Sequence, residues 1–319
     1  MKRSMEATGS SSSNQEKRLK EDLKQVGYNS DEEQSGKTVF KRMFKFYKKR
    51  APPPDFSDVI DPSIVNEARG IQIQSLATNE KFLFNETHRD MLGLKDPSDW
   101  KVTTIKGREG LYILPGIVRE DAHLKWLDRT FKYAEPPNVT NLTAHGTSPT
   151  SDVLKAVGKN LRWTTLGVDY NWVTKEYPFE KRQFPTELSR LAEFVCAIVG
   201  VGELKADAAI VNYYPPKSTL SPHQDRSERD LTRALVSVSF GQSAVYLTGG
   251  NSLDEPVDAL WLHSGDVLVM HADQRLVYHA VPCIVSTRKF TGPDGAYSKE
   301  LLDYASTSRV NITIRQVNE

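Results

Sequence analysis

The chain has 319 residues, room for two domains or one large domain with extensions at about 150 residues per domain, and its 38% hydrophobic and 9% aromatic content can fill a core unaided. No run approaches the roughly 18 apolar residues of a membrane-spanning helix, and two cysteines, Cys196 and Cys283, each in an apolar stretch, exclude a cysteine-rich zinc site and read as buried thiols. The 42 Lys+Arg and 41 Asp+Glu leave a net charge of +1 that conceals a division: 1–36 carry six basic and seven acidic residues, 37–50 seven basic and none acidic, and 51–319 the remaining 29 and 34, so that a mildly acidic body bears one short basic arm.

In chain order, residues 1–36 are rich in Ser, Lys, Glu and Gln and almost lack apolar side chains, so they cannot repay the entropy of ordering and are expected to form a disordered tail. They contain no apolar secretion core, and Glu6, Glu16, Glu21 and Asp22 do not fit a transit peptide. An intracellular, reducing compartment is expected, and the basic clusters Lys17-Arg18-Leu19-Lys20 and Lys41 to Arg50 suit import into the nucleus. Residues 37–50 place Phe40, Met43, Phe44 and Tyr47 on one helical stripe, with Lys41, Arg42, Lys45, Lys48 and Lys49 around it, and Ala51-Pro52-Pro53-Pro54 stops the helix. This basic amphipathic helix docks its aromatic stripe on the body, binds phosphate, or lies on a membrane surface; sequence alone leaves the three open.

Residues 51–160 read as an N-terminal extension with helices, among them 119–133, where Leu124, Leu127 and Phe131 recur before Pro136-Pro137. A second packing helix over 186–199 carries Leu188, Leu191, Ala192, Val195 and Ile198 and closes at Gly200. Beyond it the texture turns to short β-rich runs at 207–214, 234–240, 243–248, 266–270, 276–281 and 309–317, separated by Gly, Pro, Asp and Ser turns. The spacing predicts an antiparallel sandwich or jelly roll, in an α+β, mainly β chain. Segment 286–306 reads as a long insertion around Gly292-Pro293-Asp294-Gly295, and there is no internal repeat.

His223-Gln224-Asp225 puts an imidazole and a carboxylate two residues apart, on one face of an extended strand. With a second His from another strand, that pair makes the two-His-one-carboxylate triad that leaves positions open on a non-haem Fe(II). The signal is weak by itself, and His271-Ala272-Asp273 is a rival. The deciding run is Arg309-Val310-Asn311-Ile312-Thr313-Ile314-Arg315, whose alternation sends Val310, Ile312 and Ile314 to one face and Arg309, Asn311, Thr313 and Arg315 to the other. Two arginines pointing into a barrel need anions, since burying them unpaired costs several kcal/mol each. A dicarboxylate offers two groups suited to guanidinium forks.

With these runs, the chain resembles the AlkB family of Fe(II)- and 2-oxoglutarate-dependent dioxygenases, and its first eukaryotic homologue branch in particular. The resemblance rests on Asn212-Tyr213-Tyr214-Pro215, His223-Gln224-Asp225-Arg226-Ser227, Ser237-Val238-Ser239-Phe240-Gly241, Gly249-Gly250, His263-Ser264-Gly265-Asp266, Arg275-Leu276-Val277-Tyr278-His279-Ala280-Val281 and the terminal Arg-x-Asn-x-Thr-x-Arg. It is specific over 160–319 and looser over 40–135, and it also allows the mitochondrion as compartment. It implies a double-stranded β-helix over 161–319, iron ligands His223, Asp225 and His279, and 2-oxoglutarate contacts from Asn212, Tyr214, Arg309, Asn311 and Arg315, one arginine at each end of the diacid. His271 and Asp273 then become bystanders, His88, His123 and His145 surface or packing residues, and His263 a turn residue.

Residues 161–172 resemble the family's nucleotide-recognition segment, here bounded as 161–185, in which Trp163 and Tyr170 would frame the target base while Arg162, with Lys159 and the 37–50 arm, meets phosphate. Ser227 departs from members that carry an acidic base-contacting residue at that position, so base preference does not transfer. The implied reaction, with O2 as second cosubstrate, hydroxylates a methyl group on a base nitrogen and releases formaldehyde, succinate and CO2. Its implied partners are methylated adenine in DNA or RNA and 5-methylcytosine in tRNA, met by a monomer. Two alternatives remain on sequence: the same chemistry on a protein side chain, and an iron-independent lyase or binding module using Lys155 or Lys159.

Overall fold

A computed structural model describes residues 37–77, 86–143, 146, 149 and 151–318. The expected tail over 1–36, and His145, lie outside the described residues. The helices are α1 (Val39–Lys48), α2 (Glu86–Leu92), α3 (Glu120–Tyr133), α4 (Val153–Val157), α5 (Thr186–Val199) and α6 (Lys299–Ala305). The strands are β1 (Ile71–Gln74), β2 (Val102–Ile105), β3 (Leu111–Leu114), β4 (Trp163–Gly167), β5 (Ala208–Tyr214), β6 (Leu220–His223), β7 (Leu235–Gly241), β8 (Ser243–Thr248), β9 (Asp258–Leu262), β10 (Val267–Met270), β11 (His279–Val285) and β12 (Arg309–Arg315). They pair antiparallel into an eight-stranded sheet, β1-β2-β3-β10-β7-β12-β5-β4, and a four-stranded sheet, β6-β11-β8-β9. These two sheets face each other as the jelly roll that the turn spacing predicts.

Strand alternation sorts the side chains into layers. On β12, Val310, Ile312 and Ile314 join Leu127, Phe131, Leu188, Leu191 and Val195 in a core between the helices and the outer face of the large sheet. On β8, Ala244 and Tyr246 point into the barrel with Tyr214, Leu260 and Leu268. Its alternate residues Val245 and Leu247 point out, under α1, with Phe40, Phe44 and Tyr47. Both faces of the central strands are therefore covered, which is why β8 is buried along its whole length.

Helix α1 begins at Thr38, whose hydroxyl accepts from the Lys41 amide at 3.4 Å, and it buries Val39, Phe40, Phe44, Phe46 and Tyr47 while Lys41, Lys45 and Lys48 stay exposed. Docking of the aromatic stripe on β11 and the small sheet is thus what the structure shows. Three expectations need correction. The run 276–281 becomes β11 at 279–285, because Tyr278 first pairs with Gly249 and Gly250 and the strand then passes Pro282 at a shift of register between Ala280 and Cys283, where a missing N–H is tolerated. The insertion at 286–306 carries α6, capped by Ser298 and buried through Leu301, Tyr304 and Ala305. His223 and Asp225 do not share a strand: β6 ends at His223 and Asp225 lies in the loop beyond it. The sequence reading did not anticipate β1 to β4, β6 and β9, each four or five residues long, too short to display a period of two.

Candidate active site

The register of β6 against β11 sets His223 directly opposite His279, with ring centroids 4.3 Å apart. Asp225 folds back from the loop so that its carboxylate oxygens lie 4.0 Å from His223 Nε2 and 3.9 Å from His279 Nε2. One ligand atom from each of the three falls within 4.8 Å of the others. Each imidazole has Nδ1 beside the backbone carbonyl two residues before it, Ser221 at 2.9 Å and Val277 at 3.2 Å. Those carbonyls accept only, so Nδ1–H donates and the Nε2 lone pairs are left facing Asp225. His271 and Asp273 contribute nothing to this cluster; the His271 amide caps a turn against Gly110.

Charges are matched to metal binding. Burial pushes Asp225 up, but Arg315, His279, His223 and Arg275 outweigh it and hold the carboxyl well below the usual carboxylate range. Burial, and after it His223, pull the His279 imidazole down to about 4, so that it is neutral at pH 7. Two imidazoles, each with its Nε2 turned toward the cluster, and one carboxylate form the donor set that suits non-haem Fe(II). The residues fit the ion.

Beside this cluster runs a polar row on the barrel-facing side of the large sheet. Trp163, Asn212, Asn311 and Ser239 stand opposite one another across β4, β5, β12 and β7, and Tyr214, Arg309 and Gly241 form the next rung but one. Asn311 Nδ2 donates to Ser237 Oγ at 2.6 Å and to the Val238 carbonyl at 3.1 Å. Arg309 is 1% exposed and lies over the Tyr214 ring at 5.1 Å. Its Nη2 donates to Ser239 Oγ at 2.9 Å, whereas Nε and Nη1 have no partner among the described residues. A buried guanidinium with two idle donors and no carboxylate is what an anionic ligand would complete.

Arg315 stands differently. Its Nη1 lies 2.7 Å from Glu228 Oε1 and its Nη2 3.5 Å from Asp225 Oδ2. Glu228 Oε2 takes Arg275 Nη2 at 2.7 Å, and Arg275 Nη1 donates to the Asp225 carbonyl at 2.5 Å. Of the two β12 arginines expected to need anions, Arg315 finds them within the protein, whereas Arg309 has no carboxylate partner among the described residues. Sequence reasoning missed Glu228 and Arg275, although Glu228 is a carboxylate three residues past Asp225. It also missed Tyr177, buried with its hydroxyl unpartnered and close enough to Arg315, Glu228 and Asp225 to feel their charges.

The mouth of the site is aromatic. Trp163 is half-buried, and the Tyr170 hydroxyl lies 3.5 Å from Ser227 Oγ, two residues past Asp225. Trp172 contacts both Trp163 and Tyr170, with ring centroids 4.5 and 4.9 Å away. Arg162 is exposed, its Nη1 donating to the Lys159 carbonyl at 3.0 Å. Away from the site, His123 is buried against Val118 and Ser264, and His263 bridges Ser243 and Asp61 at the end of β9, just before its turn.

The chain is similar to known proteins. The family model of the 2OG-Fe(II) oxygenase superfamily matches residues 110–315. The human protein named nucleic acid dioxygenase ALKBH1 is 31% identical, over 88% of this chain and 84% of its own length. A Schizosaccharomyces pombe protein named tRNA demethylase abh1 is 33% identical, over 88% and 95%. The Arabidopsis thaliana protein named DNA N(6)-methyladenine demethylase ALKBH1A is 28% identical, over 88% and 96%. A solved structure titled as that of OsALKBH1 shares the fold, with a TM-score of 0.50 at 20% identity, over 67% of this chain and 99% of that one. With a His-Asp-His cluster at the mouth of a jelly roll and relatives of this identity along most of its length, the chain belongs to the 2OG-Fe(II) oxygenase superfamily, as an AlkB-family dioxygenase using Fe(II), 2-oxoglutarate and O2.

Proposed function

We propose that this protein oxidatively demethylates N-methylated bases in DNA or RNA, methyladenine in DNA or tRNA among them, and releases formaldehyde, succinate and CO2. Oxidation of 5-methylcytosine in tRNA belongs to the same reading. The observation that carries it is the set of environments meeting between the two sheets: a His-Asp-His cluster borne by the small sheet and its loop, an uncompensated buried arginine on the large sheet, and the aromatic group of Trp163, Tyr170 and Trp172, with Tyr170 reaching Ser227. Its relatives' names agree, a nucleic acid dioxygenase in human and a tRNA demethylase in S. pombe.

In this reading His223, Asp225 and His279 hold the iron, which when bound supplies the oxidation of the methyl group coupled to conversion of 2-oxoglutarate to succinate. The protein supplies position and charge. Ser221 and Val277 carbonyls fix the ring tautomers so that Nε2 stays free of its proton. Arg309, backed by Ser239 and the Tyr214 ring, pairs one carboxylate of the cosubstrate, and Asn212, Tyr214 and Asn311 border the diacid. Arg315 takes part from a fixed position, since Glu228 and Arg275 clamp it. Trp163 and Tyr170 stack the base, Arg162 meets the phosphate beside it, and the exposed lysines of α1 give longer-range attraction. The enzyme acts as a monomer.

The test pairs methylated DNA and tRNA oligonucleotides with purified enzyme and reads demethylated base and succinate by mass spectrometry. Product that requires Fe(II), 2-oxoglutarate and His223 is expected; turnover surviving His223→Ala sinks the reading.

A further inference from the structure

The two aromatic residues that frame the base in this reading are already in contact with a third ring. Trp172 lies 4.5 Å from Trp163, tilted 34°, and 4.9 Å from Tyr170 at 89°, a near-stacked contact and an edge contact. It is not a core residue: Trp172 is 45% exposed and its neighbour Val173 is 91% exposed. The loop that carries them is closed on itself. The Asn171 amide donates to the Glu176 carbonyl at 3.0 Å, the Lys175 amide donates to the Asn171 carbonyl at 2.8 Å, and Asn171 Oδ1 accepts from the amides of Val173 and Thr174 at 2.9 and 3.1 Å. The backbone of this loop is thus satisfied locally. The indole itself is held by its two ring neighbours.

An indole and a nucleobase are flat, of similar size, and gain comparable free energy from the face of an aromatic side chain. Trp163 stands opposite Asn212 on the barrel-facing row, and Tyr170 reaches Ser227, two residues past Asp225, so the two rings that Trp172 touches adjoin the candidate reaction centre. Two flat groups cannot fill the space against both rings at once.

We propose that Trp172 is a resident stand-in for the flipped base: it fills the Trp163–Tyr170 site in the free enzyme and leaves when the base enters. This rests on the assignment of Trp163 and Tyr170 as the base-framing pair. Trp172 thereby acts as a specificity-determining residue. A base gains entry only by stacking better than an indole, which favours methylated purines over pyrimidines and over bases that remain stacked in their own strand.

Trp172→Ala removes the competitor and leaves the framing pair in place. With a short single-stranded oligonucleotide carrying methylated adenine, KM and the dissociation constant are expected to fall roughly three- to tenfold, the loss of one or two ring contacts. The advantage of adenine over cytosine substrates narrows in the same variant. A KM that is unchanged or higher overturns the proposal, for it makes Trp172 a structural prop or a stacking partner of the base. Trp172→Phe, with a smaller ring, should fall between, and its thermal midpoint and 2-oxoglutarate KM report whether the fold is intact. A second readout needs no truncation. In 5-fluorotryptophan-labelled enzyme, the 19F resonance absent from Trp172→Phe is expected to shift when the oligonucleotide is added, and a resonance that stays put overturns the displacement. If the unmodified enzyme turns over no methylated oligonucleotide at all, the demethylase reading falls and this inference with it. If it does and Trp172→Ala brings no gain, this inference alone falls.

Discussion

Arg309 and Arg315 stand six residues apart on one face of one strand, yet their surroundings make opposite predictions. Arg309 has no carboxylate partner among the described residues and two idle donors, so its charge is a cost to the empty fold and an asset to an anion. Arg309→Met should leave unfolding free energy unchanged or raise it by up to about 1–4 kcal/mol while raising the KM for 2-oxoglutarate at least tenfold; steady-state succinate assays and urea denaturation read the two. Arg315→Met strips the Glu228–Arg275 pair of its third member and Asp225 of its nearest guanidinium, and should cost about 3–5 kcal/mol of stability. Asp266 gives a pH prediction away from the metal cluster. Burial raises its carboxyl to about 6, although the amides of Gly116 and His263, each 2.7 Å away, pull the other way. The folded state therefore binds this proton more tightly than the unfolded chain, with its value near 3.9. The stabilisation from that proton is complete below about pH 4 and is lost as pH rises through about 6, to an extent on the order of 3 kcal/mol. Asp266→Asn should flatten the thermal midpoint between pH 4 and 7, and an unaltered profile would assign that slope to other groups.

Among the elements, α1 is the one whose sequence left three fates open and whose packing chose one. Its aromatic stripe covers the outer face of the small sheet, Phe40 lying fully buried with its ring centroid 6.5 Å from that of Tyr278, next to the His279 ligand. Phe40→Ala should cost about 3–5 kcal/mol, whereas Lys45→Gln, on the exposed side, should stay within about 0.5 kcal/mol; denaturation midpoints distinguish them. Strand β4 depends on its last residue in another way. Gly167 has φ +71°, and a Cβ there would sit 2.0 Å from the Asp207 carbonyl oxygen, so the turn that launches the 168–184 segment excludes other residues without a backbone shift. Gly167→Ala should therefore raise the oligonucleotide KM through a displaced Tyr170, with 2-oxoglutarate KM little changed.

The whole molecule resolves the charge division. The buried arginines serve Asp225 and Glu228 as counterions or, at Arg309, have no internal carboxylate among the described residues, and under the proposed function outward attraction for a polyanion falls to α1 and the residues near Arg162. Replacing Lys41, Lys45, Lys48 and Lys49 together by Gln should flatten the dependence of log affinity on log salt by up to about 0.7–0.9 per lost phosphate contact and leave 2-oxoglutarate binding untouched; an unchanged slope in filter-binding or anisotropy titrations would mean that the helix only packs. Much of this was legible in the chain itself. Helix 186–199 coincides with α5 because a stripe bounded by Gly200 is a local signal, and the two faces of β12 follow from a period of two. Resemblance pointed to His223, Asp225 and His279, and the structure brings their ligand atoms within 4.8 Å of one another. What sequence could not give was whatever depends on two segments meeting: the register that sets His223 against His279, the clamp of Glu228 on Arg315 and Arg275, and Trp172 resting on Trp163. Local propensity and alternation are properties of neighbours in the chain, whereas a buried charge's partner and an aromatic ring's contacts are set by neighbours in space. For that reason the sequence by itself determined the fold class and the candidate residues, and only the tertiary structure decided which arginine is left without an internal counterion and which ring rests on Trp163 and Tyr170.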